Sequence, residues 1–328
     1  MKNSSRDFSL DLLRALACIM VLGLHIGQRF MFPGVIGRFF EKGSTGVGFF
    51  FILSGYLGYC SLEKEFSRSK NRVDAIKAFY IKRAVHVLPL YYLVILFYFI
   101  FFTLLDRVPV DSSGLYWFRY IFFLNRWVPT SSEFWINLGA TWSISVFVLF
   151  YILAPIIIMV VKRCFVAGII TIISYVALRW AGNSATPIMY MFFFFLGILV
   201  YLSEKEGNVA WVISAECLLV LICILIGSGN SLIAPVIASM YLLASRGNRV
   251  VLNENNFVYK VVSVISALSY SIYLIHILVF TVLDELWVTY DVGYLLLFAV
   301  ATILLTLLSY YFVEKKLSWK LLQLMLKK

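Results

Sequence analysis

The chain has 328 residues, 62% of them hydrophobic and only 14% charged, with 28 lysines and arginines against 17 acidic residues and a formal net charge of +11. So few charges cannot clothe a soluble domain of this length, which excludes a water-soluble enzyme and points to the membrane. A nucleic-acid reader needs a basic face in water, and the basic residues here are scattered between apolar runs, so nucleic acid is excluded as a partner.

Ten apolar runs are each long enough to read as crossing a hydrocarbon core of about 30 Å. They cover 10–32, 44–62, 84–105, 141–161, 164–180, 186–203, 208–227, 231–245, 261–283 and 293–313. The expected fold class is an all-α polytopic membrane protein with about ten transmembrane helices, as one domain over 1–328. The first run is too long for a cleaved leader and lacks a small-residue cleavage site. With the N-terminus cytoplasmic, ten crossings return the C-terminus to the same side. Then 21 of the 28 Lys and Arg are cytoplasmic, and seven (Arg29, Arg38, Lys42, Arg107, Arg119, Arg126 and Arg179) lie opposite. That bias is the positive-inside signature and accounts for most of the net charge.

The first run carries Asp11, Arg14 and His25. Eleven positions make about three full turns and about 16.5 Å of rise, so Arg14 and His25 leave a helix on one face. An ionisable group at that depth faces a partner, a cavity or a pathway. The bland alternative is that Arg14 snorkels to the headgroups while His25 satisfies a neighbouring helix. In the second run, Ser54-Gly55 permits close backbone approach, to a helix or to a ligand. The connection from Glu63 to Arg83 reads as the longest cytoplasmic loop and holds seven basic residues, ending in Lys82-Arg83-Ala-Val-His86-Val-Leu-Pro89. Such a cluster marks orientation, contacts anionic lipid, or captures an anionic cosubstrate. Pro89 should kink its helix or free a carbonyl. Tyr116–Leu124 is apolar but short, and reads as an interfacial or re-entrant helix.

The fourth run opens with Thr141-Trp142-Ser143-Ile-Ser145. Trp142 suits an interfacial belt, and the three hydroxyls suit a polar vestibule. In the ninth run Ser269, Tyr273 and His276 recur at helical spacing and share one face, expected to point into the bundle. The five cysteines form no CxxC pair, and the three histidines show no HxxxH or HExxH spacing, so neither a disulfide framework nor a metal site is expected. No GxxxxGK[ST] loop is present, which disfavours a nucleotide-driven pump.

Taken in order, these segments resemble the membrane acyltransferase-3 family, the O-acylases of bacterial polysaccharides. Asp11-Leu-Leu-Arg14-Ala-Leu-Ala with His25 resembles its N-terminal signature, and Phe50-Phe-Ile-Leu-Ser54-Gly55-Tyr56 its FFxxSGF element. Lys82-Arg83-Ala-Val-His86-Val-Leu-Pro89 is similar to RRxxRxxP. Thr141-Trp-Ser-Ile-Ser with Phe150-Tyr151 is similar to TWSLSVExxFY, and Ser269-Tyr-Ser-Ile-Tyr-Leu-Ile-His276 to SYSxYLxH. Three positions depart from the pattern: Gly48 where an acidic residue often stands, His86 for the second arginine, and Phe147 for the glutamate of TWSLSVE. If that glutamate orients substrate or imidazole, the carboxylate must come from elsewhere, with Asp11 near Arg14 and Glu133 before the fourth run at hand, or the protein manages without it.

The resemblance implies transfer of an acyl group, most often acetyl, from a cytoplasmic acyl-coenzyme A to a hydroxyl of a surface or lipid-linked glycan such as O-antigen, in the bacterial inner membrane. Acetyl-CoA would be a cosubstrate, with no bound cofactor; the glycan acceptor and membrane lipids would be the other partners. His25 would act as general base or acyl carrier, since imidazole titrates near neutrality. Arg14 would assist it, Lys82, Arg83, Ser54 and Gly55 would serve the donor, and Trp142, Ser143, Tyr273 and His276 would line the acceptor path. A non-catalytic glycan or lipid translocator on the same scaffold is the alternative, having lost chemistry with the glutamate at the Phe147 position.

Overall fold

The computed structural model describes residues 7–105, 115–124, 127, 141–180, 187–225, 233–247, 254–286 and 289–326. Among these residues the chain is helical throughout, with no strand. The helices in order are α1 (Phe8–Phe30), α2 (Gly34–Glu41), α3 (Thr45–Arg68), α4 (Arg72–Leu104), α5 (Leu115–Ile121), α6 (Trp142–Val160) and α7 (Cys164–Trp180). They continue with α8 (Met191–Glu206), α9 (Ala210–Leu225), α10 (Ile233–Gly247), α11 (Phe257–Leu286), α12 (Val292–Ser309) and α13 (Ser318–Leu326).

Each of the ten predicted runs coincides with a helix. Seven helical stretches among the described residues are long and apolar enough to cross a membrane. The runs predicted at 164–180, 208–227 and 231–245 correspond to helices of 17, 16 and 15 residues, shorter than those seven. The predicted loop from Glu63 to Arg83 is corrected: α3 runs on to Arg68 and α4 begins at Arg72, so most of its basic residues lie on helices. Asn71 caps the start of α4 by accepting from the Val73 N–H at 3.0 Å, and the Lys, Arg and Ala that follow favour helix over loop.

The chain divides into two compact units, Met1–Ser67 with Leu149–Ser269, and Arg68–Val148 with Tyr270–Lys328. In the first, Asp7 caps α1 by accepting from the Ser9 and Leu10 amides at 3.2 and 3.4 Å. The helix ends at Met31, in the left-handed region at φ 45°. The chain then folds α2 back so that Phe40 sits on Gly23 and Gly27, where an added Cβ would lie 2.8 and 2.6 Å from its ring and Cβ. α3 and α8 touch backbone to backbone. A Cβ on Gly55 would meet the Phe194 carbonyl oxygen at 2.1 Å, and one on Gly197 would meet that of Ile52 at 2.0 Å. Small residues permit this approach and the dispersion contact that replaces a hydrophobic driving force in lipid. Contacts climb both helices together, from Phe51 on Phe194 to Glu63 on Lys205, so α3 and α8 run parallel. α7 lies antiparallel to α8, because Glu206 at the end of α8 accepts from the Cys164 N–H that opens α7, at 3.0 Å. Phe8 stacks on Tyr259 at 5.7 Å and Arg14 reaches Ser266, so α1 and the first part of α11 also run parallel.

In the second unit Tyr270 donates to the Val87 carbonyl at 2.7 Å and Tyr98 lies 3.0 Å from Thr281, which sets α4 parallel to α11. Pro89 lacks the N–H that would bond the carbonyl four residues back, that of Val85. Ser318 of α13 donates to that carbonyl at 2.7 Å instead. α11 and α12 are antiparallel, with Tyr294 on Asp284, Phe298 stacked on Phe280 at 3.8 Å and Ser309 3.0 Å from Ser271. A π-helical stretch, Tyr310–Leu317, joins α12 to α13. α5 is held by Tyr91 and Tyr92, whose hydroxyls donate to the carbonyls of Tyr120 and Ile121.

Candidate active site

α1 is unbroken from Phe8 to Phe30, so Arg14 and His25 lie on one helix with about 16.5 Å of rise between them. Their surroundings differ. Arg14 belongs to a polar junction with α11: its Nη1 donates to Ser266 Oγ at 3.2 Å, and Ser266 donates in turn to Asp11 Oδ1 at 2.6 Å. Arg14 and Asp11 also form an ion pair at 3.7 Å. Asp11 is buried, and Arg14 keeps 29% of its side chain exposed. A buried carboxylate is tolerated only when compensated in this way. Ser269 lies next to the junction and donates to the Ser266 carbonyl at 2.9 Å.

His25 sits one turn before the end of α1. Its Nδ1 is 3.0 Å from Gln28 Oε1, while Arg29 Nη1 donates to the His25 carbonyl at 3.2 Å. With the proton on Nδ1, Nε2 carries the imidazole lone pair, which is the arrangement a general base requires. The Arg29 contact occupies a carbonyl near the helix end, and a cation is stabilised there. Phe40 shields the neighbouring turns at Gly23 and Gly27.

In α3, Gly55 is buried against the α8 backbone, which makes it a packing position; Ser54 beside it is half-buried. The same helix pair carries polar links that sequence spacing did not reveal. Tyr56 donates to Glu204 at 2.5 Å, and Glu63 accepts from Tyr201 and from Lys205, both at 2.6 Å.

The second unit holds the remaining candidates. Lys82 and Arg83 are half-buried on α4, with the Arg83 guanidinium 5.3 Å from the centroid of the Phe79 ring, within cation–π range. His86 is exposed, its ring 5.4 Å from that of Tyr270. Ser143 is fully buried and lies 2.8 Å from the Tyr273 hydroxyl, which ties the mouth of α6 to α11. Trp142, before it, is half-buried. His276 is 1% exposed, donates from Nδ1 to the Ile272 carbonyl at 2.7 Å, and packs edge-on to Tyr273 and Phe280. One turn earlier along α11, Ser271 donates to Glu314 of the π-helical stretch.

The predicted residues therefore fall into separate groups: the Arg14 junction, His25 near the end of the same helix, and the Ser143–Tyr273–His276 group of the second unit. Four further residues join them. Gln28 was readable three positions after His25, and Ser266 three positions before Ser269 on its polar face. Ser271 and Glu314 left no such signal, because the carboxylate lies just past the last apolar run, among lysines. Glu133, a possible source of the missing carboxylate, lies outside the described residues.

A model of an acyltransferase domain, the acyltransferase-3 family, matches residues 7–314. No curated protein and no solved structure matches the chain.

Proposed function

The chain belongs to the acyltransferase-3 family, and from that membership we propose that it is a membrane O-acyltransferase that moves acetyl from cytoplasmic acetyl-CoA to a hydroxyl of a surface or lipid-linked glycan, such as O-antigen. It works in the bacterial inner membrane, with both termini cytoplasmic. The observation that carries the chemistry is the His25–Gln28 pair. Nε2 of His25 takes the proton of the acceptor hydroxyl as its oxygen attacks the thioester carbonyl. The new C–O bond forms, the C–S bond breaks, and the coenzyme A thiolate recovers the proton from the imidazolium. An alcohol is too weak an acid to react without such a base. Gln28 holds the tautomer, and the Arg14–Ser266–Asp11 junction fixes α1 against α11 so that the imidazole stays in place. Lys82 and Arg83 receive the donor's phosphates; Trp142, Ser143, Tyr273 and His276 shape the acceptor path.

Helix directions support the topology. Parallel neighbours in a membrane require an odd number of crossings between them. Among the described residues the long apolar helices between α3 and α8 are α4, α6 and α7, which supports a crossing by α7 despite its 17 residues. The parallel pairs α1 with α11 and α4 with α11 fit α9 and α10 crossing as a pair. With that hairpin in the membrane the proposed count is ten, an even number that accords with both termini on one side.

The test is mass spectrometry of the surface glycan from cells with the wild-type chain, with none, and with His25→Ala at equal membrane level. A gain of one acetyl per repeat that vanishes in the variant is the expected result. An unchanged glycan mass with a changed surface amount would overturn the reading in favour of a translocator.

A further inference from the structure

The turns that join α6 to α7 and α8 to α9 enclose a cleft of about 480 Å³, lined by Lys162, Arg163, Leu202, Lys205, Glu206 and Asn208. Its walls are fixed by the backbone. The Val161 carbonyl accepts from Tyr59 at 2.7 Å, and Ser203 and Asn208 exchange two bonds, at 2.6 and 3.1 Å. Two of the four charged groups are already committed. Glu206 takes the Cys164 N–H at 3.0 Å and the Cys164 thiol at 2.9 Å, and Lys205 pairs with Glu63 at 2.6 Å. Lys162 and Arg163 are not: among the described residues no acceptor lies within bonding reach of either side chain, and the Asn208 amide is equally unengaged. Three ammonium, five guanidinium and two amide N–H donors therefore line one cleft, beside the buried Leu202.

We propose that this cleft binds a phosphate group presented at the membrane surface. A phosphate group, with two free oxygens as a diester and three as a monoester, suits both the guanidinium fork and a lysine point charge. The volume admits more than a free ion, within the range of small-molecule sites. Two sources share this chemistry: the nucleotide of an acyl-CoA, which rests on the transfer reading above, and an anionic phospholipid headgroup, which does not.

The experiment uses the full-length chain in phosphatidylcholine nanodiscs, and compares wild type with Lys162→Gln/Arg163→Gln. A Lys315→Gln/Lys316→Gln variant controls for the loss of two charges. Binding of radiolabelled coenzyme A and, separately, of labelled phosphatidylglycerol is measured without turnover. A roughly tenfold or greater loss of coenzyme A affinity confined to the cleft variant supports the site and names the donor. The same loss for phosphatidylglycerol alone supports the site and names the lipid. Affinities for both probes equal to those of the charge-matched control would overturn the proposal. Because binding is read directly, a cleft that binds in a chain that never acetylates would sink the transfer reading alone.

Discussion

The two buried-helix histidines, His25 in the first unit and His276 in the second, were alike in the sequence and are unlike in the structure. His276 is 1% exposed, bonded to the carbonyl four residues before it in its own helix, and set between two aromatic rings. Its burial and these contacts hold the ring in place. His25 is less buried, and its Nδ1 partner is the side chain of Gln28 rather than the backbone. The proposed roles follow this difference: His25, oriented by a side chain, exchanges the proton, and His276, bonded to the main chain, is a fixed wall of the acceptor path.

Paired substitutions break or sharpen this comparison. His25→Ala should lower acetyl transfer by about 10²–10⁴-fold at unchanged membrane level, the usual worth of a general base. His276→Ala should instead lower folded yield and thermal stability while the surviving protein still turns over. Equal losses of specific activity in the two variants would dissolve the distinction. Next in size, Gly55→Val drives a side chain into the Phe194 carbonyl and should cost about 1–3 kcal/mol of stability, read by thermal unfolding in detergent. Normal stability would mean that α3 and α8 separate easily, and would reopen Gly55 as a ligand position. Gln28→Leu should cut kcat roughly tenfold with stability unchanged, because the imidazole survives but loses its fixed tautomer. A wild-type rate would remove Gln28 from the site. Ser266→Ala deletes the hydroxyl shared by Arg14 and Asp11 and should cost about 1–2 kcal/mol. The smallest effect is expected from Tyr273→Phe, about 1 kcal/mol for its bond to Ser143, measured by the same unfolding assay.

Much of the helical layout was legible, for a local reason. An apolar run in lipid must form a helix to satisfy its own backbone, so each of the ten runs became one, and the spacing of Arg14 from His25 carried directly onto α1. Pro89 likewise announced a freed carbonyl, although not that Ser318 would fill it. The stretch from Glu63 to Arg83 was misread because charge density resembles a loop when the strong helix propensity of Lys, Arg, Glu and Ala is set aside.

The site was legible only in part. Residue types and faces on α1 and α11 were visible, but Arg14 meets Ser266 across 252 positions and Ser271 meets Glu314 across 43, and no periodicity encodes such pairings. By itself the sequence determined the membrane class, the order of the helices and the face each polar group occupies, since these follow from hydrophobicity and a 3.6-residue repeat. Only the tertiary structure decided which helices run side by side, which groups hold each histidine, and which cations are left unpaired. Those outcomes depend on what stands opposite each face, and that is a property of the packed bundle.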